Sequence, residues 1–159
     1  MGFQEVETIP PTALTSPAAL EVIVLFTDVP STLGALRTAT QLAQGLAARV
    51  RLLVLHCVPY PLPLDQPPIS VKFLGRHFRT LVESCDVETS GRSVETTAEV
   101  YLCRDPWETL RTRLTPHSVV VIGKRSHWWP RPEDQLARKL RAAGHHVVRA
   151  SLPKEFFHA

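Results

Sequence analysis

The chain has 159 residues, 44% of them apolar and 21% charged, which gives room for one domain with a buried core and excludes a disordered chain. Its 18 basic residues against 15 acidic ones leave a charge of only +3 with no basic block, so nothing in the charge asks for nucleic acid. No segment is apolar for long enough to cross a membrane and the start lacks a signal-peptide pattern, so a cytoplasmic location without membrane contact is expected.

Residues 1–19, with Pro10, Pro11 and Pro17 and no sustained period, read as a flexible leader outside a domain spanning 20–152. Residues 153–159 read as a tail. Val22-Ile23-Val24-Leu25-Phe26 is too continuously apolar for a half-exposed strand and predicts a central strand buried on both faces, closed by Asp28. Leu36, Ala39, Leu42, Ala43 and Leu46 then recur at helical spacing, with Ser31 or Thr32 placed to cap the first turn. A second buried strand over 50–58 completes a right-handed βαβ unit.

Five prolines between 59 and 70 block regular structure and predict an extended loop at the sheet's edge. Val71, Leu74, Phe78, Leu81, Val82 and Cys85 mark a second helix, and 97–103 a third strand. Arg104-Asp105-Pro106-Trp107-Glu108 spells a helix start, with Asp105 as N-cap, Pro106 at the first helical position and Glu108 reaching back in a capping box. A fourth strand over 119–122, a helix carrying Leu136, Ala137, Leu140 and Ala143 that stops at Gly144, and a fifth strand over 145–151 follow. Alternating strands and helices with such apolar strands predict an α/β fold, a three-layer sandwich around a five-stranded parallel sheet.

Cys57, Cys85 and Cys103 form no C-x-x-C pair and read as reduced core residues. The seven histidines include no metal-ligand spacing, and Ser31, Ser126 and Ser151 sit in no nucleophile elbow, so neither a metal site nor an enzyme is expected.

From about Glu21 to Ala150 the sequence resembles the universal stress protein family. The resemblance rests on the strand ending in Asp28, on Leu55-His56-Cys57-Val58, on the Asp105-Pro106-Trp107-Glu108 turn, and on Val121-Ile122-Gly123. It implies strand order 3-2-1-4-5 and homodimers paired through the last strand, where Val147 and Val148 are compatible with a sheet edge. It also implies a nucleotide site at the strand ends: Asp28 on the base side, Cys57 and Ile122 beside the adenine, and a Gly-x-x-Gly phosphate loop leading to Gly-Ser or Gly-Thr at a helix start. Read from the residues alone, Asp28 is equally a strand-end carboxylate that caps the following turn.

Glycines let backbone amides approach phosphate oxygens, and a hydroxyl at the helix start adds a donor to the positive dipole end. Gly123 matches the first glycine, Ser126 replaces the second, and Glu133 and Asp134 stand where Gly-Ser belongs. Two carboxylates there complement the dipole themselves and repel a triphosphate. Lys124, Arg125 and Arg131 offer positive charge from the loop side.

Trp128 and Trp129, adjacent in a proline-flanked loop about three residues shorter than the family pattern has, fit a partner surface, a base to stack on, or a fold-back over that loop. The sequence therefore predicts a non-catalytic, universal-stress-protein-like module acting in stress response or regulation. It would act through protein contacts, possessing no cofactor and weakened or lost nucleotide binding. The alternative is AMP or ATP held by Asp28, Cys57, Ile122, Gly123, Lys124, Arg125 and Ser126.

Overall fold

A computed structural model describes residues 4–9, 20–64, 71–86, 94–124 and 132–151. The elements in chain order are β1 (Gln4–Ile9), β2 (Glu21–Leu25), α1 (Val29–Leu46), β3 (Arg49–Cys57), α2 (Val71–Asp86), β4 (Thr96–Cys103), α3 (Pro106–Arg113), β5 (Val119–Lys124), α4 (Pro132–Ala142) and β6 (His146–Ser151). They build a six-stranded sheet in the order β1-β4-β3-β2-β5-β6. The five strands from β4 to β6 are parallel, in the expected 3-2-1-4-5 order.

β2 lies at the centre because both of its faces are apolar. Val22 and Val24 join one core with Leu36, Ala39, Leu52 and Phe78 beneath α1 and α2. Ile23 and Leu25 join the other with Leu53, Leu110, Ile122 and Leu140 beneath α3 and α4. Period-two alternation along a strand sends neighbours to opposite faces, so a strand buried on both reads as an unbroken apolar run.

One segment departs from the sequence reading. Gln4–Ile9, assigned to the leader, is an antiparallel edge strand on β4, with Gln4 opposite Leu102, Ile9 opposite Ala98 and a bulge between Glu5 and Glu7. Its polar sequence contains no core pattern. What the pairing satisfies is the row of backbone groups along β4 that would otherwise end the sheet open.

Two helix starts also differ in detail. Of the cap candidates Asp28, Ser31 and Thr32, it is Asp28 that caps α1: its Oδ1 accepts from Ser31 N at 3.0 Å. Pro30 needs no N–H partner and so fits inside the first turn, which moves the helix start ahead of it. Thr32 is buried and reaches back to accept from Thr27 N at 3.2 Å. At α3, Asp105 caps as expected, accepting from Trp107 N at 2.9 Å, whereas Glu108 turns outward to Arg111 at 2.8 Å. Gly144, at φ 93°, stops α4 in the left-handed conformation that glycine adopts freely.

Beside the short α3, whose Arg113 guanidinium lies 4.8 Å from the Tyr101 ring centroid, the sheet face carries charge. Arg51 on β3 donates to Glu21 at 3.3 Å and to Glu99 at 3.0 Å, and the Tyr101 hydroxyl donates to the same Glu99 carboxylate. Burial, then that bond to Glu99, pushes the Tyr101 phenol up to about 12.

Candidate functional site

In a parallel α/β sheet, ligands bind outside the carboxyl ends of the strands, where strand order reverses. Here that point lies between β2 and β5, with chain leaving toward α1 on one side and α4 on the other. A cleft of about 320 Å³ opens beside it. Phe26 and Thr27, just past β2, and Leu55 on β3 form its floor. The start of α3 supplies Asp105, Pro106 and Trp107, and the first turns of α4 supply Glu133, Gln135, Leu136 and Lys139. Lys139 Nζ sits 5.9 Å from the Trp107 ring centroid, a cation over an aromatic face across the cleft wall.

The two carboxylates at the start of α4 have separate fates. Glu133 lines the cleft, and its Oε2 is buried with no hydrogen-bond partner among the described residues. Asp134 turns away to β6, where Arg149 donates to it at 2.8 Å. Only one of the pair therefore lines the cleft.

The residues singled out from sequence are distributed around this corner. Asp28 is the cap of α1, and Thr27 Oγ1 also lies 3.5 Å from its Oδ2. Ile122 is fully buried in the core beneath α3 and α4. Gly123 is buried against the first turn of α1: a Cβ there would stand 2.2 Å from the backbone oxygen of Ser31. Lys124 is exposed at the end of β5. Cys57 is exposed at the end of β3, its sulfur 4.0 Å from that of Cys103. Arg125, Ser126, Trp128, Trp129 and Arg131 lie outside the described residues.

None of the five placed residues lines the cleft; of the residues weighed as a site from sequence, Glu133 does, beside Phe26, Leu55, Trp107, Leu136 and Lys139, which were read only as parts of helices and strands or their ends. Gln135 and Lys139, four apart, share one helical face. That spacing was readable, but its convergence with Trp107 and Phe26 depends on the packing of separate elements.

The start of the proline-rich loop is held on the β4 side by Arg104. Arg104 donates to the carbonyls of Val58 at 2.8 Å and Leu62 at 2.6 Å, and its guanidinium lies 4.1 Å from the Tyr60 ring centroid. Tyr60–Pro61 is a cis peptide. No residue from 59 to 64 lines the cleft, so this part of the loop leaves it open.

A second hollow, of about 370 Å³, lies at the opposite end of the strands between Leu20, Leu46 and His117. There His145 Nδ1 accepts from Ser118 N at 3.2 Å, and burial, followed by nearby His117, holds His145 below its usual range. Among the described residues, no three His, Cys, Asp or Glu side chains group to hold a metal ion, and no helix is long and apolar enough to cross a membrane.

No family model matches the sequence, and no curated protein matches it either. Among solved structures, the chain is similar to a protein from the universal stress protein family from Burkholderia pseudomallei. The two share 18% identity with a TM-score of 0.51, over 85% of this chain and 98% of that one. It is also similar to a universal stress protein in complex with cAMP, at 11% identity and a TM-score of 0.54, over 86% of this chain and 99% of that one. With the parallel strands in 3-2-1-4-5 order and helices on both faces, the chain has the universal stress protein fold.

Proposed function

We propose that this protein is a universal-stress-protein-like module that acts in stress response or regulation through protein contacts, without turnover, and that its nucleotide site is weakened or lost. The observation that carries this reading is Glu133, whose carboxylate lines the strand-end cleft at the start of α4, where an incoming phosphate would need the helix dipole to itself. Asp28 supports it, because its carboxylate is engaged as the cap of α1. Gly123 supports it too, since close packing against Ser31 accounts for a glycine there without any ligand. A cytoplasmic homodimer paired through β6, whose outer edge has no partner strand among the described residues, goes with the same reading.

One observation favours a second reading, in which AMP, ATP or a cyclic nucleotide still binds. The cleft has an apolar wall of Phe26, Leu55, Trp107 and Leu136, suited to a flat base, with Lys139 beside it. Calorimetric titration with ATP, AMP and cAMP, each with and without magnesium, separates the two. The wild-type protein is expected to give no heat at micromolar concentrations, and Glu133→Gln to gain measurable affinity by removing the like charge. Low-micromolar binding by the wild type, abolished in Trp107→Ala, would overturn the first reading in favour of the second.

A further inference from the structure

The carboxyl ends of β3 and β4 bring two thiols together. Cys57 and Cys103 are partners in the parallel register, so their backbones are held at the sheet's strand spacing, within the span a disulfide bridges. Their sulfurs stand 4.0 Å apart, about 2 Å more than a sulfur–sulfur bond, and side-chain rotation narrows that gap. The backbone around them is tied on both sides. Val58 N donates to the Cys103 carbonyl at 2.9 Å, and Arg104 clamps the Val58 and Leu62 carbonyls.

The two sulfurs differ in access. Cys57 is exposed, whereas Cys103 is buried. A solute oxidant therefore meets Cys57 first, and Cys103 waits behind it as a shielded thiol. Burial, reinforced by the neighbouring Cys57, pushes the Cys103 thiol up to about 12, so it stays protonated until a sulfur partner is presented.

We propose that Cys57 and Cys103 form a reversible oxidation site, in which a hydroperoxide oxidises the exposed Cys57 and the buried Cys103 closes the product into an intramolecular disulfide. In the first step the Cys57 thiolate attacks a peroxide oxygen: a sulfur–oxygen bond forms, the oxygen–oxygen bond breaks, and hydroxide or alkoxide leaves. In the second the Cys103 sulfur attacks the Cys57 sulfur: the sulfur–sulfur bond forms, the sulfur–oxygen bond breaks, and the Cys103 proton leaves with the departing hydroxide as water. The thiol pair loses two electrons and the hydroperoxide gains them. A small dithiol reverses the reaction by exchange.

Trypsin places the three cysteines in separate peptides, 52–72 for Cys57, 80–92 for Cys85 and 93–104 for Cys103, so the connectivity can be read directly. The folded protein is treated with hydrogen peroxide, alkylated without reduction, digested and analysed by mass spectrometry. The expected product joins peptides 52–72 and 93–104 with loss of two hydrogens, and dithiothreitol restores both thiols. Cys103→Ser is expected to leave Cys57 as a sulfenic acid that a 1,3-dione probe traps, and Cys57→Ser to leave Cys103 unmodified. The wild-type map decides the matter even should either variant fold poorly. Oxidation of Cys57 to the sulfinic state without a cross-link, a link to peptide 80–92, or a link between two molecules would each overturn the proposal.

Discussion

Gly123 and Ser31 touch at the backbone. A Cβ on Gly123 would lie 2.2 Å from the Ser31 oxygen and 2.6 Å from both its carbonyl carbon and its Cβ. Neither partner can yield cheaply, because Ser31 is locked in the first turn of α1 and Gly123 in the ladder between β5 and β6. Ser31 is itself 1% exposed, so the contact is dry.

Gly123→Ala should therefore destabilise the protein by about 1–3 kcal/mol or more, the range for forcing extra atoms into a packed core. Urea unfolding followed by circular dichroism reads the loss. An unchanged midpoint would show that the strand end relaxes away from α1. A bulky residue at 123 would test folding before it tested any ligand.

Asp28 separates two roles in the same way. As the cap of α1 it should cost about 1 kcal/mol when replaced by Ala, while Asp28→Asn, which keeps an acceptor for Ser31 N, should cost much less. Equal losses in the two variants would mean that the charge matters more than the cap geometry.

His145 gives the fold a dependence on acidity. Burial, followed by nearby His117, holds the group below the usual 6.5, so the folded state favours the neutral ring, whose Nδ1 accepts from Ser118 N. Below that value the unfolded chain takes up the proton first. This contribution to stability is thus complete above about 6.5 and declines as the pH falls toward the lower folded value. His145→Asn, which can keep an acceptor near the Nδ1 position without titrating, should flatten the slope of melting temperature against pH. Parallel slopes for the two proteins would remove His145 as the cause.

Arg51 ties Glu21 and Glu99 together from the middle of β3, and its side chain is only 17% exposed. Arg51→Ala removes the cation between two partly buried carboxylates, leaving Glu21 with Arg49 at 2.6 Å and Glu99 with the Tyr101 hydroxyl. The expected loss is about 1–3 kcal/mol, below that for a fully buried pair because water still reaches the group. The same substitution in a Glu99→Gln background should cost less, and a double-mutant cycle measures the difference.

The parallel strands and the helices between them were legible because each follows from a pattern local to its own residues. Unbroken β-branched runs marked strands buried on both faces, and three- and four-residue steps marked the helices over them. Gln4–Ile9 was not legible, since its place depends on the backbone edge that β4 presents and not on any apolar period. The cap of α1 was displaced by Pro30, whose tolerance in a first turn competes with the usual hydroxyl preference. The glycine at 123 was visible, but its reason was not, because the atom it must avoid belongs to a residue about ninety positions earlier in the chain. The cleft was hidden for a related reason: Phe26, Trp107 and Lys139 come from three elements that only the packed sheet brings together.

The pairing of β1 with β4 also makes the two margins of the sheet unequal. On one side the eight-residue β4 is replaced as the outermost strand by a six-residue segment, bulged and carrying Glu5 and Glu7, features that discourage further strand addition. On the other side β6 presents Val147 and Val148 in a regular ladder. A molecule with two adhesive margins can add copies without end, whereas one with a single such margin is used up once two copies meet around a twofold axis. The acidic amino-terminal strand thereby leaves β6 as the margin better suited to strand addition, an arrangement that favours a closed pair over a growing row.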